Sequence, residues 1–111
     1  IKNLKAYEDI LNLANINKIK VIVYIAPLRN DVKIPYDLDE YKDFKTKTKN
    51  VADKYDVNFV SLENIIPGEF WGYKGSINLK NNNDLDFMHF KGNGHRILAE
   101  KLFFEVRKIL E

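Results

Sequence analysis

The chain contains no cysteine, which excludes disulfides, thiolate metal sites and cysteine nucleophiles while remaining compatible with a reducing or an oxidising compartment. A strong charge of either sign is also lacking. Eighteen basic residues face sixteen acidic ones, for a net +2, so no field that would recruit a polyanion is expected. Long apolar runs are missing as well. The longest, Val21 to Leu28, is far short of the ~20 residues a membrane helix needs. No signal peptide precedes the first element. The sequence opens on Ile1, close to a helical pattern, and reads as a piece of something longer. There is no glycine-rich phosphate loop: "GNG" at 92–94 lacks the preceding strand that the dinucleotide fingerprint needs. Hydrophobic residues make up 45% and aromatics 13% of the 111 residues. That is enough for the core of one domain or half-domain and argues against intrinsic disorder.

Periodicity supplies the elements. Leu4, Tyr7, Ile10, Leu11 and Ala14 mark one face of a helix ending near residues 15–17. "KVIVYIAP" is apolar at nearly every position and β-branched, as in a strand buried on both faces of a parallel sheet. Asp37 or Asp39 can cap a second helix with Tyr41, Phe44, Thr48, Val51, Ala52 and Tyr55 inward. "VNFVSL" predicts a second strand, followed by a long loop from 65 to about 93. A last helix runs from His95 to Leu110, with Leu98, Leu102, Phe103, Val106, Ile109 and Leu110 inward. Helix–strand–helix–strand–helix is an α/β layered order. Two strands make too small a sheet, however, and an apolar strand such as "VIVYIA" calls for neighbours on both edges. The expectation is a C-terminal half whose N-terminal portion, or a partner chain, brings the remaining strands. Open edges of this kind also predict self-association.

Function in open α/β sheets gathers at the carboxyl ends of the strands. Three segments reach that region: "PLRND", "ENIIPGEFWG" and "NDLDFMHFKGNGH". In the last, Asp86 and His89 stand three residues apart. A carboxylate beside an imidazole accepts its Nδ1 proton, fixes the tautomer and leaves Nε2 free as a base. A hydroxyl near Nε2 would complete a triad for acyl transfer. The alternative for such a pair is a polar, purely structural loop.

"DFMHFKGNGHRILAEKL" resembles the last block of the SGNH (GDSL-like) hydrolases: Asp-x-x-His, four residues, Gly, then an amphipathic helix beginning near a His or Tyr and including an Ala. The matching residues are Asp86, His89, Gly94, His95 and Ala99. More loosely, "VIVYIAPLRND" is similar to the family's late strand ending in Pro, and "VNFVSLENIIP" to the strand before the catalytic loop. Only 86–99 is specific. The resemblance implies a flavodoxin-like three-layer parallel sheet with helices on both faces. It further implies a serine esterase, acyl hydrolase or O-acyltransferase with Asp86 as orienting acid and His89 as general base. The substrate implied is an ester or an acylated carbohydrate or lipid, with no cofactor, and the setting tilts toward export or the cell surface. The family's nucleophile lies in an early Gly-Asp-Ser-Leu-like block, and its oxyanion hole uses a Gly and an Asn from two middle blocks. None of these blocks occurs here. The only serines, Ser61 and Ser76, lie outside any nucleophile-like turn, so these residues alone are expected to be inactive. The other outcome is a non-catalytic α/β binding module that keeps the fold.

Other residues carry two readings each. Arg29 follows the first strand and could bind a carboxylate or phosphate in its planar fork. Pairing with Asp31 is the favoured alternative. Trp71, Phe70 and Phe87 are candidates to line an acyl or sugar pocket, and loop anchoring is the alternative. Asp84, Asp86, His89 and His95 suggest a metal site at first sight. The histidine spacing of six is wrong for a zinc helix, and the loop is not EF-hand-like, so no metal is expected. Lys42, Lys45 and Lys49 share a helical face with Asp43 and Asp53 nearby and no interleaved aromatics, which excludes a nucleic-acid stripe.

Overall fold

The computed structural model describes residues 3–73 and 85–111. The chain is mixed α/β and divides into two compact units, Ile1–Ile25 with Pro35–Ser61, and Ala26–Ile34 with Leu62–Glu111. Among the described residues, no helix is long and apolar enough to cross a membrane.

The first unit holds α1 (Leu4–Ile16), β1 (Ile22–Ile25), α2 (Leu38–Lys54) and β2 (Asn58–Ser61). Helix α1 buries Leu11 and Ala14. Ile10, expected on the same face, is 64% exposed, because it is rotated out of the stripe defined by residues 4, 7, 11 and 14. Of the two capping candidates, Asp37 is the cap of α2. Its carboxylate accepts from the backbone N–H groups of Asp39 and Glu40, at 2.9 and 3.0 Å, satisfying donors that the first turn leaves open. Thr48, Val51 and Ala52 are buried on the inner face of α2, whereas Phe44 is 40% exposed. The polar Thr48 is tolerated there because its hydroxyl donates to the carbonyl of Phe44 at 2.9 Å. The two helices are tied by Tyr7, whose hydroxyl donates to the carbonyl of Thr48 at 2.8 Å, and by Glu8, which meets both Lys54 and Tyr55. Strands β1 and β2 pair in parallel, Ile22 opposite Asn58 through Ile25 opposite Ser61. The long α2 crossover is what such a parallel pair requires. Leu11, Val51 and Ala52 form the core, with Val21, Val23, Val57 and Phe59 packed around it.

Both helices of this unit end in the same way. Lys18 and Asp56 take left-handed φ values of 58° and 55°. The N–H of Ile19 reaches the carbonyl of Ala14, and that of Val57 the carbonyl of Ala52, at 2.8 and 2.9 Å. These are Schellman closures at the position that favours glycine. Lys18→Gly and Asp56→Gly are each expected to stabilise the unit by about 1 kcal/mol by removing the left-handed Cβ clash. A rise in the urea midpoint at constant m-value would show it.

The second unit contains a short 3-10 turn (Gly68–Phe70), β3 (Trp71–Tyr73), β4 (Leu85–Phe90) and α3 (Gly92–Leu110). Here the expectations need correction. Part of the segment read as a long loop is an antiparallel pair, with Trp71 opposite Phe90 and Tyr73 opposite Leu85. A three-residue strand such as "WGY" is too short for alternation to reveal, and its partner is identified only by pairing. Helix α3 starts at Gly92, three residues ahead of His95, and follows β4 after a single residue, so the strand not expected ahead of "GNG" is present. Its expected inner face is only partly covered: Leu98, Leu102 and Ile109 are half-buried, while Phe103, Val106 and Leu110 are exposed. Gly94 is the buried residue of α3. A Cβ there would meet the Phe90 ring at 2.8 Å, so the helix approaches β4 at the one residue that allows it.

Candidate functional site

Three residues along an extended strand span roughly 10 Å, and residues i and i+3 point to opposite faces. Asp86 and His89 nonetheless touch, with Asp86 Oδ2 3.1 Å from His89 Nδ1. The register explains how. Two steps along β3, from Trp71 to Tyr73, face five along β4, from Leu85 to Phe90. The surplus residues of β4 are thrown out as an enlarged bulge between the two paired positions, and the acid and the histidine both lie in it. Asp86 shapes that bulge: its Oδ1 accepts from the backbone N–H groups of Met88 at 2.8 Å and His89 at 3.0 Å, an Asx-type turn. One carboxylate oxygen therefore folds the backbone and the other receives the imidazole.

The electrostatics follow. The Asp86 side chain is 14% exposed and that of His89 77%. Burial alone would raise the Asp86 pKa. The two backbone donors and the His89 ring outweigh it and hold the carboxyl below the ordinary aspartate range. An ionised acid at this distance favours the Nδ1–H tautomer, which leaves Nε2, without a protein partner among the described residues, as the ring nitrogen free to act as a base.

Arg29 lies beneath this bulge and is 5% exposed. Its Nε and Nη2 donate to the two oxygens of Asp31 at 2.8 and 3.2 Å. The pairing alternative is therefore the one found, and the guanidinium is engaged internally. Its Nη1 donates to the carbonyls of Gly72 at 2.8 Å and Asp86 at 3.3 Å, and Phe87 lies 6.0 Å from the guanidinium carbon. The Arg29 bond to Asp31 holds that carboxyl, too, below its usual range, against the burial that would raise it. Trp71 is 3% exposed, edge-on to Phe90 at 5.3 Å, and its indole N–H points at the carbonyl of Ile66 at 3.5 Å. It is a core residue rather than an open pocket wall, and anchoring prevails over the pocket expectation. Phe87 is half-buried. His95 packs on Phe90, with ring centroids 4.4 Å apart. Asp84 and Ser76 lie outside the described residues, and Ser61 ends β2 in the other unit. Among the described residues, no group of three or more potential metal ligands occurs. The contact of Arg29 with β4 went unread in the sequence. Its only local trace is the Arg29–Asp31 spacing in "PLRND".

Two depressed carboxylates in one unit have a consequence for pH. A carboxylate whose folded pKa lies below its unfolded value, about 3.9 for aspartate, contributes stability that is complete above that value. The contribution is lost as pH falls through the lower folded value. The 85–90 segment and the Arg29 clamp are accordingly expected to weaken only below about pH 4. The protection factors of the amides at 85–90, taken against the intrinsic exchange rate at each pH from 6 to 2.5, should stay flat down to that point and then fall.

Comparison of the chain with protein-family models, curated proteins and solved structures gives no match.

Proposed function

We propose that Asp86 and His89 are the acid–base pair of a serine-dependent acyl hydrolase or O-acyltransferase of the SGNH type. The proposal includes the flavodoxin-like three-layer sheet as the complete architecture, with the nucleophilic serine and the oxyanion donors contributed by a segment upstream of these residues. The substrate class is an ester, as in an acylated carbohydrate or lipid. In the first half-reaction, His89 Nε2 takes the serine proton as Oγ attacks the acyl carbonyl. The imidazolium, steadied by Asp86, then returns that proton to the departing alcohol, leaving an acyl-serine. Water or an acceptor hydroxyl next gives its proton to Nε2 and attacks the acyl group, and the serine is released with its proton restored. The single supporting observation is the 3.1 Å contact between an ionised carboxylate and Nδ1 of an imidazole whose side chain is 77% exposed. The test joins the chain to its serine-bearing segment and assays a chromogenic short-chain ester with and without His89→Ala.

A second reading is a non-catalytic binding module. In its favour, β1 and β2 each have one strand neighbour among the described residues. In addition, a cavity of about 250 Å³ touches Val23, Tyr24 and Ile25 together with Leu4, Tyr7 and Phe44. Consecutive strand residues face opposite sides, so a cavity touching all three runs along the free edge of β1, where an added strand would seat. An upstream segment with no serine in a strand-to-helix turn would favour this reading over the enzyme.

A further inference from the structure

A bulge that carries catalytic groups has to be held from behind, and one buried cation reaches both of its sides. Arg29 donates to the carbonyl of Gly72 on β3 and to that of Asp86 on β4, at 2.8 and 3.3 Å, while Phe87 lies near its face. Its orientation is fixed in turn by both oxygens of Asp31. Asp31 is itself seated by an absence: a Cβ placed on Gly68 would overlap the Cβ and Cγ of Asp31. Gly68, Asp31, Arg29 and the Asp86 peptide therefore form a continuous chain of contacts ending at the carboxylate that meets His89.

We propose that Arg29 is a positioning residue. It sets the peptide plane of Asp86 and hence the direction from which that carboxylate receives the His89 ring, with Asp31 and Gly68 locking the guanidinium in register. This rests on the acid–base role given above to Asp86 and His89. A planar fork is required for the task. It satisfies Asp31 with Nε and Nη2 while Nη1 serves both carbonyls, which the point-like ammonium of lysine cannot reproduce. Arg29 hydrogen-bonds Asp31 and the carbonyls of Gly72 and Asp86 rather than the imidazole, and it acts through Asp86.

The readout is the His89 tautomer, measured by long-range proton–nitrogen NMR on the neutral imidazole of the chain as it stands. His95, which packs on Phe90, serves as the internal reference. The native chain is expected to hold His89 as the Nδ1–H form. In Arg29→Lys the ratio of Nδ1–H to Nε2–H should fall by about tenfold or more, the scale of losing a hydrogen bond to a charged group, with His95 unmoved and the amide spectrum still dispersed. Should Arg29→Lys fail to fold, Asp31→Asn and Gly68→Ala release the fork while leaving the guanidinium present, and the same fall is expected. An unchanged His89 tautomer in folded variants overturns the positioning role and leaves the acid–base pair standing. A native His89 in the Nε2–H form overturns the acid–base pair itself, so the two failures are distinguishable.

Discussion

His89→Ala in the protein carrying its serine segment is expected to lower kcat/KM for a short-chain ester by roughly ten-thousand-fold. That corresponds to about 5 kcal/mol of transition-state stabilisation. The size follows from the role assigned. Without Nε2 the serine must lose its proton to water, and the leaving alcohol has no acid beside it. Asp86→Asn should fall by a similar factor for a different reason. The amide can donate to Nδ1, which favours the wrong tautomer and points a proton at the serine. It also removes the charge that accepts from Met88 and His89, so the bulge itself loosens. The double variant should lose little more than either single one, because the pair acts as a unit. Independent, multiplying losses would show that the two residues do separate work. Activity that survives His89→Ala would eliminate the enzyme reading.

Trp71→Ala is expected to cost about 3–5 kcal/mol of stability, a large share of what a small unit possesses. The indole is 3% exposed and meets the edge of Phe90 at 5.3 Å, and Phe90 in turn supports His95 and the closely approaching Gly94. Truncation leaves a cavity beneath the strand pair at the base of the bulge. Urea unfolding followed by circular dichroism measures the cost directly, since the substitution removes the chain's single tryptophan and with it the fluorescence probe. A stability loss under about 1 kcal/mol would return Trp71 to the pocket-lining role first considered for it. Phe87, half-buried beside Arg29, is expected to be less costly to truncate.

Helices α1 and α2 were readable from the sequence because their signals act within a few residues. Asp37 caps the next turn, and the stripe of Leu11, Ala14, Val51 and Ala52 repeats at helical spacing. The parallel pairing of β1 and β2 was implied by an apolar strand, a long helical crossover and another short strand. The face of α3 was misread. Periodicity identifies a stripe without saying whether anything covers it, and Phe103, Val106 and Leu110 remain exposed. The Asp86–His89 contact was anticipated from spacing in a turn. The turn exists, but it is a bulge within a strand whose partner is only three residues long.

By itself, the sequence determined the chemistry on offer: an aspartate and a histidine within reach of each other, with no thiol among them. It also determined the helices, whose caps and periodicity are local interactions. Tertiary structure alone decided which way that pair faces. Arg29 grips the carbonyl of Asp86 from 57 positions away, and Trp71 meets Phe90 across the pairing of β3 with β4. Hydrogen bonds and packing between residues so distant in the chain exist only once both strands are in place, so neighbouring letters could not encode them.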